Sequence, residues 1–427
     1  MQDTVCCGCS VVCDDAAVSL KKSELQSLGL CTLGHAYCAS IRSKTRLTKP
    51  QVKIGTGKQK SVSLSTAYEQ AISILSESKR PLLLGWSNSP SEVTSLGISL
   101  AKRLKGVFDS TASCEYGRLL DYKLEGGEAN KATLEDVRNF ADFIVYWGVN
   151  PAESHHRHAS RYTVFPKGAN IPEGRESRVI AVVDIRESES MRLANHQLIL
   201  DPRNGDEHFL NALLNELKGT LGTPPKQVGG IPAIEFLSFS KQIKEAEYIA
   251  IFYGNGVLHA PHQSNTLPLL AKVANRLNKK KRPCIILPMV SLCNSTGVVK
   301  TSLEETGLPF LVDFTSQTPI PYPSVQEGLR NNEFDAALIV GWDALSFLPG
   351  PIAKSLQSIP IISLSTQPTM TTRKSVVTLP TALTGAEADG TVYRMDGVAV
   401  PLKPFAKAPQ NIPTEHQVLT HFLTKLK

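Results

Sequence analysis

No apolar run in this 427-residue chain reaches the roughly 18–20 residues that a membrane span needs. Its first residues lack a charged stretch followed by an apolar one, so no secretory leader is expected. Internal repeats and low-complexity tracts are absent. Dense charge of one sign is scarce as well. The net charge is +7, but the basic residues are scattered and Lys279-Lys280-Lys281-Arg282 is the single dense run. That run follows a helical pattern, where cations complement the helix dipole, and it reads as a solvated helix end rather than a nucleic-acid patch. Membrane and nucleic acid are therefore not expected partners. What remains is a soluble, globular composition of 41% hydrophobic and 20% charged residues. The length is too great for one ordinary core and predicts two or three domains. Nine cysteines without a leader point to a reducing, cytoplasmic setting, and to metal or redox use rather than disulfides.

Four of those cysteines carry the most information. Cys6, Cys9 and Cys13 are spaced Cys-x2-Cys-x3-Cys, and Cys31 follows after seventeen residues. A [4Fe–4S] cluster takes one thiolate at each of four iron corners, which three ligands on one loop plus a returning fourth can supply. Zinc sites more often pair their ligands two and two. The spacing thus favours iron–sulfur, with zinc and a set of unliganded thiols as the alternatives. Cys7 and Cys38 are additional, and the spacing breaks if Cys7 replaces Cys6.

Along the rest of the chain, apolar strands alternate with amphipathic helices. Strands are predicted at Pro81–Trp86, from Val107, and at Phe143–Trp147, Arg178–Asp184, Tyr248–Tyr253, Cys284–Leu287, Ala336–Gly341 and Pro360–Leu364. Helices are predicted at Ala67–Ser78, Pro90–Leu104, Leu134–Phe140, His208–Leu217, Ala233–Lys244, Thr266–Leu277 and Val325–Arg330. Continuous apolar strands between helices signify parallel sheets covered on both faces. Ligands of such sheets bind beyond the carboxyl ends of the strands. Five polar or Gly-rich turns fall there: Gly148-Val-Asn150-Pro151, Asp184-Ile-Arg186, Gly254-Asn-Gly256, Asn294-Ser-Thr296-Gly297 and Gly341-Trp-Asp343. Any one of them is an ordinary turn; together they suggest one long, phosphate-bearing ligand.

These residues also carry a resemblance. Cys6-Cys-Gly-Cys9-x3-Cys13-Asp-Asp, Trp147-Gly-Val-Asn150-Pro151-Ala-Glu153-Ser-His155-His-Arg157-His158, Val183-Asp184-x-Arg186, Leu287-Pro-Met289, Asn294-x-Thr296-Gly297 and Gly385-Ala-Glu387-Ala-Asp-Gly390-Thr-Val-Tyr393-Arg394-Met395-Asp-Gly397 occur in order over essentially the whole chain. The pattern resembles the B subunit of formylmethanofuran dehydrogenase, in the molybdopterin oxidoreductase superfamily. The resemblance implies an α/β fold with two doubly wound parallel-sheet domains and a small N-terminal Cys-rich iron–sulfur domain. Residues 1–48 would form the cluster domain, 49–116 with 248–427 a discontinuous α/β domain, and 117–247 an inserted one. It implies a [4Fe–4S] cluster on Cys6, Cys9, Cys13 and Cys31. It further implies a molybdenum or tungsten bis-pterin guanine dinucleotide against Asn150, Glu153, His155, Asp184, Arg186, Gly254, Gly256, Asn294, Thr296 and Gly297. Ile185 departs from the proline usual between the Asp and Arg. The last pterin-binding domain of the larger superfamily enzymes is missing, so a separate subunit would supply it.

The catalytic positions depart from the family. There, a cysteine followed by histidine and glycine supplies a metal ligand and a proton-handling group. In Thr111-Ala-Ser-Cys114-Glu115-Tyr116-Gly117 the ligand position holds Glu115 and the histidine position Tyr116. Cys114 stands one residue early, and a side chain displaced by one points elsewhere. The family's active-site arginine falls on Pro261, beside His259 and His262, which read as loop histidines. A soft thiolate and a fixed cation are each hard to replace chemically. The chain therefore looks most like the B subunit of the bacterial formyltransferase/hydrolase complex of methanopterin-linked one-carbon metabolism. Its implied partners are a hydrolase-like A subunit, a C-type subunit and a formyltransferase-like D subunit, with this chain a degenerate scaffold. The alternative is an active molybdenum or tungsten dehydrogenase subunit. Retention of the cluster cysteines is the strongest point in favour of that alternative.

Overall fold

The computed structural model describes residues 1–21, 24–53, 55, 57–113, 132–258, 263–279 and 281–426. The chain divides into a unit formed by Met1–Ser113 with Leu292–Lys427 and a unit formed by Cys114–Ser291.

The first unit is built on a nine-stranded sheet. Its centre is parallel, in the order Val107–Ser110, Pro81–Gly85, Ala336–Val340, Ile361–Ser365, Val377–Pro380. Antiparallel strands close both edges, with Val312–Asp313 and Ile320–Pro321 on one side and Gln51–Lys53 and Gln59–Ser61 on the other. Successive side chains of a strand alternate faces. Leu82, Leu84, Ala337 and Ile339 accordingly enter one core, with Leu329, Ile352 and Leu356 of the helices Val325–Arg330 and Gly350–Gln357. Leu83, Leu338 and Val340 enter the other, with Leu75, Leu100 and Phe422 of the helices Leu64–Glu77, Ser91–Leu104 and Glu415–Lys425. Both faces being covered explains why these strands read as unbroken apolar runs.

The second unit carries a five-stranded, wholly parallel sheet ordered His196–Ile199, Val179–Asp184, Phe143–Trp147, Ile249–Tyr253, Cys284–Pro288. Phe143, Val145 and Trp147 pack on one face against Phe209 of Gly205–Lys218, Phe239 of Ala233–Glu245 and Leu270 of Gln263–Leu277.

Two boundaries differ from those expected of the sequence. The inserted unit runs to Ser291, not to residue 247. Ile249–Tyr253 and Cys284–Pro288 are as apolar as the strands of the larger sheet, but they pair with Phe143–Trp147 and with each other. Residues 1–48 are not a compact unit of their own and group with the larger one. A segment that short buries too little surface to stand alone. Its strands Gln2–Thr4, Ala16–Lys21 and Glu24–Leu28 form a small antiparallel sheet. Val5, Cys7 and Val12 pack against Val392, Val400 and Leu402 from the C-terminal segment.

Candidate functional site

The cysteine segment is a tight loop facing a short helix. Cys6 N–H donates to Cys13 O at 2.9 Å, and Val12 N–H to Cys9 O at 3.2 Å, with Val12 in the left-handed region at φ 43°. Cys31 caps the helix Thr32–Ala39, its sulfur accepting from Gly34 N–H at 3.4 Å. Cys6 Sγ accepts from Gly8 N–H at 3.4 Å. A Cβ on Gly34 would lie 2.6 Å from Cys6 Sγ, and one on Gly8 would lie 3.0 Å from Gly34 Cα, so glycine at both positions lets loop and helix meet. Cys6, Cys9 and Cys13 are buried and Cys31 half-buried. Burial is the main cause that pushes the Cys9 thiol up to about 12, and charge on Cys13 and Cys31 would raise it further. Cys6 is raised in the same direction by burial, Cys38, Cys13 and Cys9. Backbone N–H groups are thus aimed at the sulfurs of Cys6, Cys9 and Cys31. Such a donor set fits a group that takes thiolates and neutralises their mutual repulsion. Cys7 points away, into an apolar cluster with Cys293, its thiol bonded to that of Cys293 by a hydrogen bond. Cys38 packs with Val18 and Leu25. Among the described residues, no three His, Cys, Asp or Glu side chains are grouped so as to hold a single metal ion.

In the same unit, the buried Asn294 is a structural pin. Its Nδ2 donates to Ser89 O at 2.7 Å and its Oδ1 accepts from Tyr393 N–H at 2.7 Å. A Cβ on Gly297 would lie 2.0 Å from that Oδ1, so the glycine makes room for the amide. Thr296 is half-buried on the first turn of the helix Ser295–Thr306. Glu387 and Arg394, from the segment 385–397, are also committed internally. Arg46 holds Glu387 through two contacts of 2.6 Å, and Arg394 holds Asp396 at 2.8 and 2.6 Å. Asp109 lies near the end of its strand Val107–Ser110. Burial pushes its carboxyl up to about 7, while it accepts from Ser113 Oγ at 3.0 Å and Leu311 N–H at 3.2 Å. Cys114, Glu115, Tyr116 and Pro261, with His259 and His262, lie outside the described residues.

In the second unit the polar turns gather at the carboxyl edge of the five-stranded sheet. Gly148, at φ 58°, donates to Val183 O at 2.8 Å, and Gly256 N–H donates to Gly148 O at 2.9 Å. A Cβ on Gly254 would meet Val149 Cβ at 2.6 Å, and one on Gly256 would meet Gly148 Cα at 2.7 Å. The two glycines let one turn pack on the next. Asn150 Oδ1 accepts from Ser190 Oγ at 2.6 Å, yet its Nδ2 is buried without a partner, as is Ser188 Oγ of the neighbouring turn. Buried donors in that state are rare in native structures and invite an acceptor. Asp184 caps its own turn through Ile185 N–H at 2.7 Å, and Arg186 and Glu153 are exposed. His155 is buried and its imidazole is lowered to about 4 by burial, hence neutral. Its Nε2 donates to Val290 O at 2.9 Å, which leaves Nδ1 to accept from Ser154 Oγ at 2.7 Å. Asp206, which sequence reasoning missed, accepts from Trp147 Nε1 at 2.5 Å and is raised by burial, the Asp184 charge adding to it. Its sole sequence signal was an acidic residue in the first turn of a helix, a common feature of solvent-exposed helix starts.

Compared with known families, the molybdopterin oxidoreductase model matches residues 46–421. The chain belongs to this family. It is 29% identical over 430 residues to the B subunit of the tungsten-containing formylmethanofuran dehydrogenase 2 of Methanococcus maripaludis, covering 100% of this chain and 98% of that one. The corresponding Methanocaldococcus jannaschii protein is likewise 29% identical over 432 residues, with the same coverage. Among solved structures, a chain of the formyltransferase/hydrolase complex from Methylorubrum extorquens, determined with methylofuran, superposes with a TM-score of 0.68 at 20% identity, over 88% of this chain and 98% of that one. Acetylene hydratase from Pelobacter acetylenicus gives 0.71 at 11% identity, over 100% of this chain and 69% of that one. At those identities the structural likeness concerns the fold. No helix of the described residues is long and apolar enough to cross a membrane.

Proposed function

We propose that this chain is the B-type subunit of a formylmethanofuran-dehydrogenase-like or formyltransferase/hydrolase complex, and that its own metal pocket is degenerate. The full-length likeness to dehydrogenase B subunits supports this reading, taken together with Glu115, Tyr116 and Pro261 in the places where the family resemblance implies thiolate, histidine and arginine. Formyl transfer and hydrolysis then belong to partner subunits, and this chain organises them. Cys6, Cys9, Cys13 and Cys31 would hold a [4Fe–4S] cluster, which supplies one-electron transfer when bound.

A second reading, an active tungsten or molybdenum subunit, draws on different observations. The buried, unpartnered Asn150 Nδ2 and Ser188 Oγ beside Asp184 and Arg186 fit a ligand rich in oxygen acceptors, such as a dinucleotide phosphate. Asn150 and Ser188 would donate to it, and Arg186 would meet its charge.

Metal analysis of the natively purified complex separates the two. The first reading expects about four irons per chain with substoichiometric molybdenum and tungsten, and no formyl-dependent dye reduction. Stoichiometric tungsten or molybdenum together with dye reduction would overturn it.

A further inference from the structure

The dense basic run at 279–282 lies at the amino edge of the five-stranded sheet, away from the sites described above. The helix Gln263–Leu277 ends before it. Lys279 and Arg282 close a tight turn, Lys279 N–H donating to Arg282 O at 3.0 Å and Arg282 N–H to Lys279 O at 2.9 Å. The two residues form an antiparallel bridge. Residues directly opposite in such a bridge project to one face, where like charges repel. The turn thus holds two cations together at a cost in stability. Both line a cavity of about 240 Å³, with Lys244 and Arg276. Its inner wall is the start of the strand Ile249–Tyr253 and the C-terminal ends of the helices Gly205–Lys218, Ala233–Glu245 and Gln263–Leu277.

Part of this charge is answered within the fold. Arg276 Nη2 donates to Leu217 O and Arg282 Nη1 to Lys244 O, each at 3.4 Å, so both guanidinium groups lie over carbonyls of helix ends. Lys244 Nζ meets Glu216 Oε1 at 2.5 Å. Among the described residues, Arg276, Lys279 and Arg282 form no ion pair. Three helix ends, each carrying roughly half a negative charge, and one carboxylate do not cancel four cations. The rim stays positive, and all four of its basic residues are exposed.

That exposure decides what can bind. An exposed ion pair contributes about 0–1 kcal/mol, so a single small anion would be held weakly here. A polypeptide segment with several carboxylates engages the four cations together, and its attachment to a larger surface multiplies their effect. The cavity is also smaller than the roughly 300 Å³ at which small-molecule sites begin, and suits one side chain rather than a whole ligand. No aromatic residue lines it among the described residues, so a nucleic acid would find no ring on which to stack a base.

We propose that this basic rim docks an acidic segment of a partner subunit, with a carboxylate side chain seated between Lys279 and Arg282. This docking presupposes the subunit role proposed above. The natively purified complex is treated with a carbodiimide, which joins a lysine amine to a carboxyl in contact with it with loss of water, and the joined peptides are identified by mass spectrometry. Lys279 or Lys244 should be found joined to an Asp or Glu of a co-purifying subunit. Lys279→Glu with Arg282→Glu should weaken retention of that subunit about tenfold, at a Tm equal to or above that of the wild type because the repulsion across the turn is relieved. Lys279→Gln removes one exposed charge, should weaken retention severalfold, and decides the matter if the double reversal fails to fold. Links between subunits elsewhere but none at Lys244 or Lys279, with retention undiminished in the variants, would overturn the docking and leave the subunit role standing. A wild-type chain that purifies without any partner subunit would overturn both. Charge-dependent binding of oligodeoxythymidine, with subunit retention indifferent to the variants, would make nucleic acid the occupant and overturn the docking alone.

Discussion

Truncating Arg46 is the sharpest test of what the segment 385–397 does. Arg46 and Glu387 are 3% and 2% exposed, and two N–H···O contacts of 2.6 Å join them. Arg46 Nη1 also donates to Ile41 O at 3.1 Å, and Glu387 Oε2 accepts from Leu383 N–H at 2.9 Å. Arg46→Ala would leave Glu387 buried with that single backbone donor. Removing one partner of such a pair costs about 3–5 kcal/mol, because the other charge stays out of water unpaired. For a unit of this size the loss lowers Tm by on the order of 10 °C. Replacing both partners, Arg46→Met with Glu387→Leu, should recover most of the loss, because an apolar pair of similar volume carries no desolvation penalty. Thermal denaturation of the wild type, the two single variants and the double variant completes the cycle. An Arg46→Ala loss under about 1 kcal/mol, or a double variant as unstable as the single, would refute the reasoning. Glu387 would then need a role outside the fold.

Further measurements follow from other groups. Burial raises Glu415 from 4.5 to about 7, so its proton is held by the folded state after the unfolded chain has released it. Stability relative to Glu415→Gln should be greatest below pH 4.5, fall by about 3 kcal/mol as pH rises to about 7, and stay level beyond. A difference independent of pH in denaturant titrations would contradict the burial. Cys9→Ser should abolish cluster absorbance and iron in anaerobically isolated protein, whereas Cys7→Ser should keep the iron, because Cys7 faces Cys293 in an apolar cluster. Equal iron loss in both variants would place the register on Cys7. Asn294→Ala should cost about 2–4 kcal/mol by stranding the buried Tyr393 N–H and Ser89 O. An unchanged Tm would show that water replaces the amide.

The amino-acid sequence alone determined the α/β character, because a strand buried on both faces must be apolar throughout, as in Ala336–Val340. It also carried the three-plus-one cysteine spacing, since side chains on one tight loop have to be close in sequence. Family membership was legible from motifs spread over the chain. Sheet membership was not. Ile249–Tyr253 is as apolar as Pro81–Gly85, and only pairing with Phe143–Trp147 assigns it to the inserted unit and moves the boundary to Ser291. The roles of polar residues were hidden for the same reason. Glu387 and Asn294 read as members of a functional motif, but their partners Arg46 and Tyr393 lie 341 and 99 residues away. Glu415 reads as an ordinary first-turn acid, and it becomes unusual only because the chain folds Gly341 and Ser89 around it and shuts out water. Local pattern limits what a segment can form; burial and the identity of a distant partner, which set the chemistry of each polar group, arise only when the layers close.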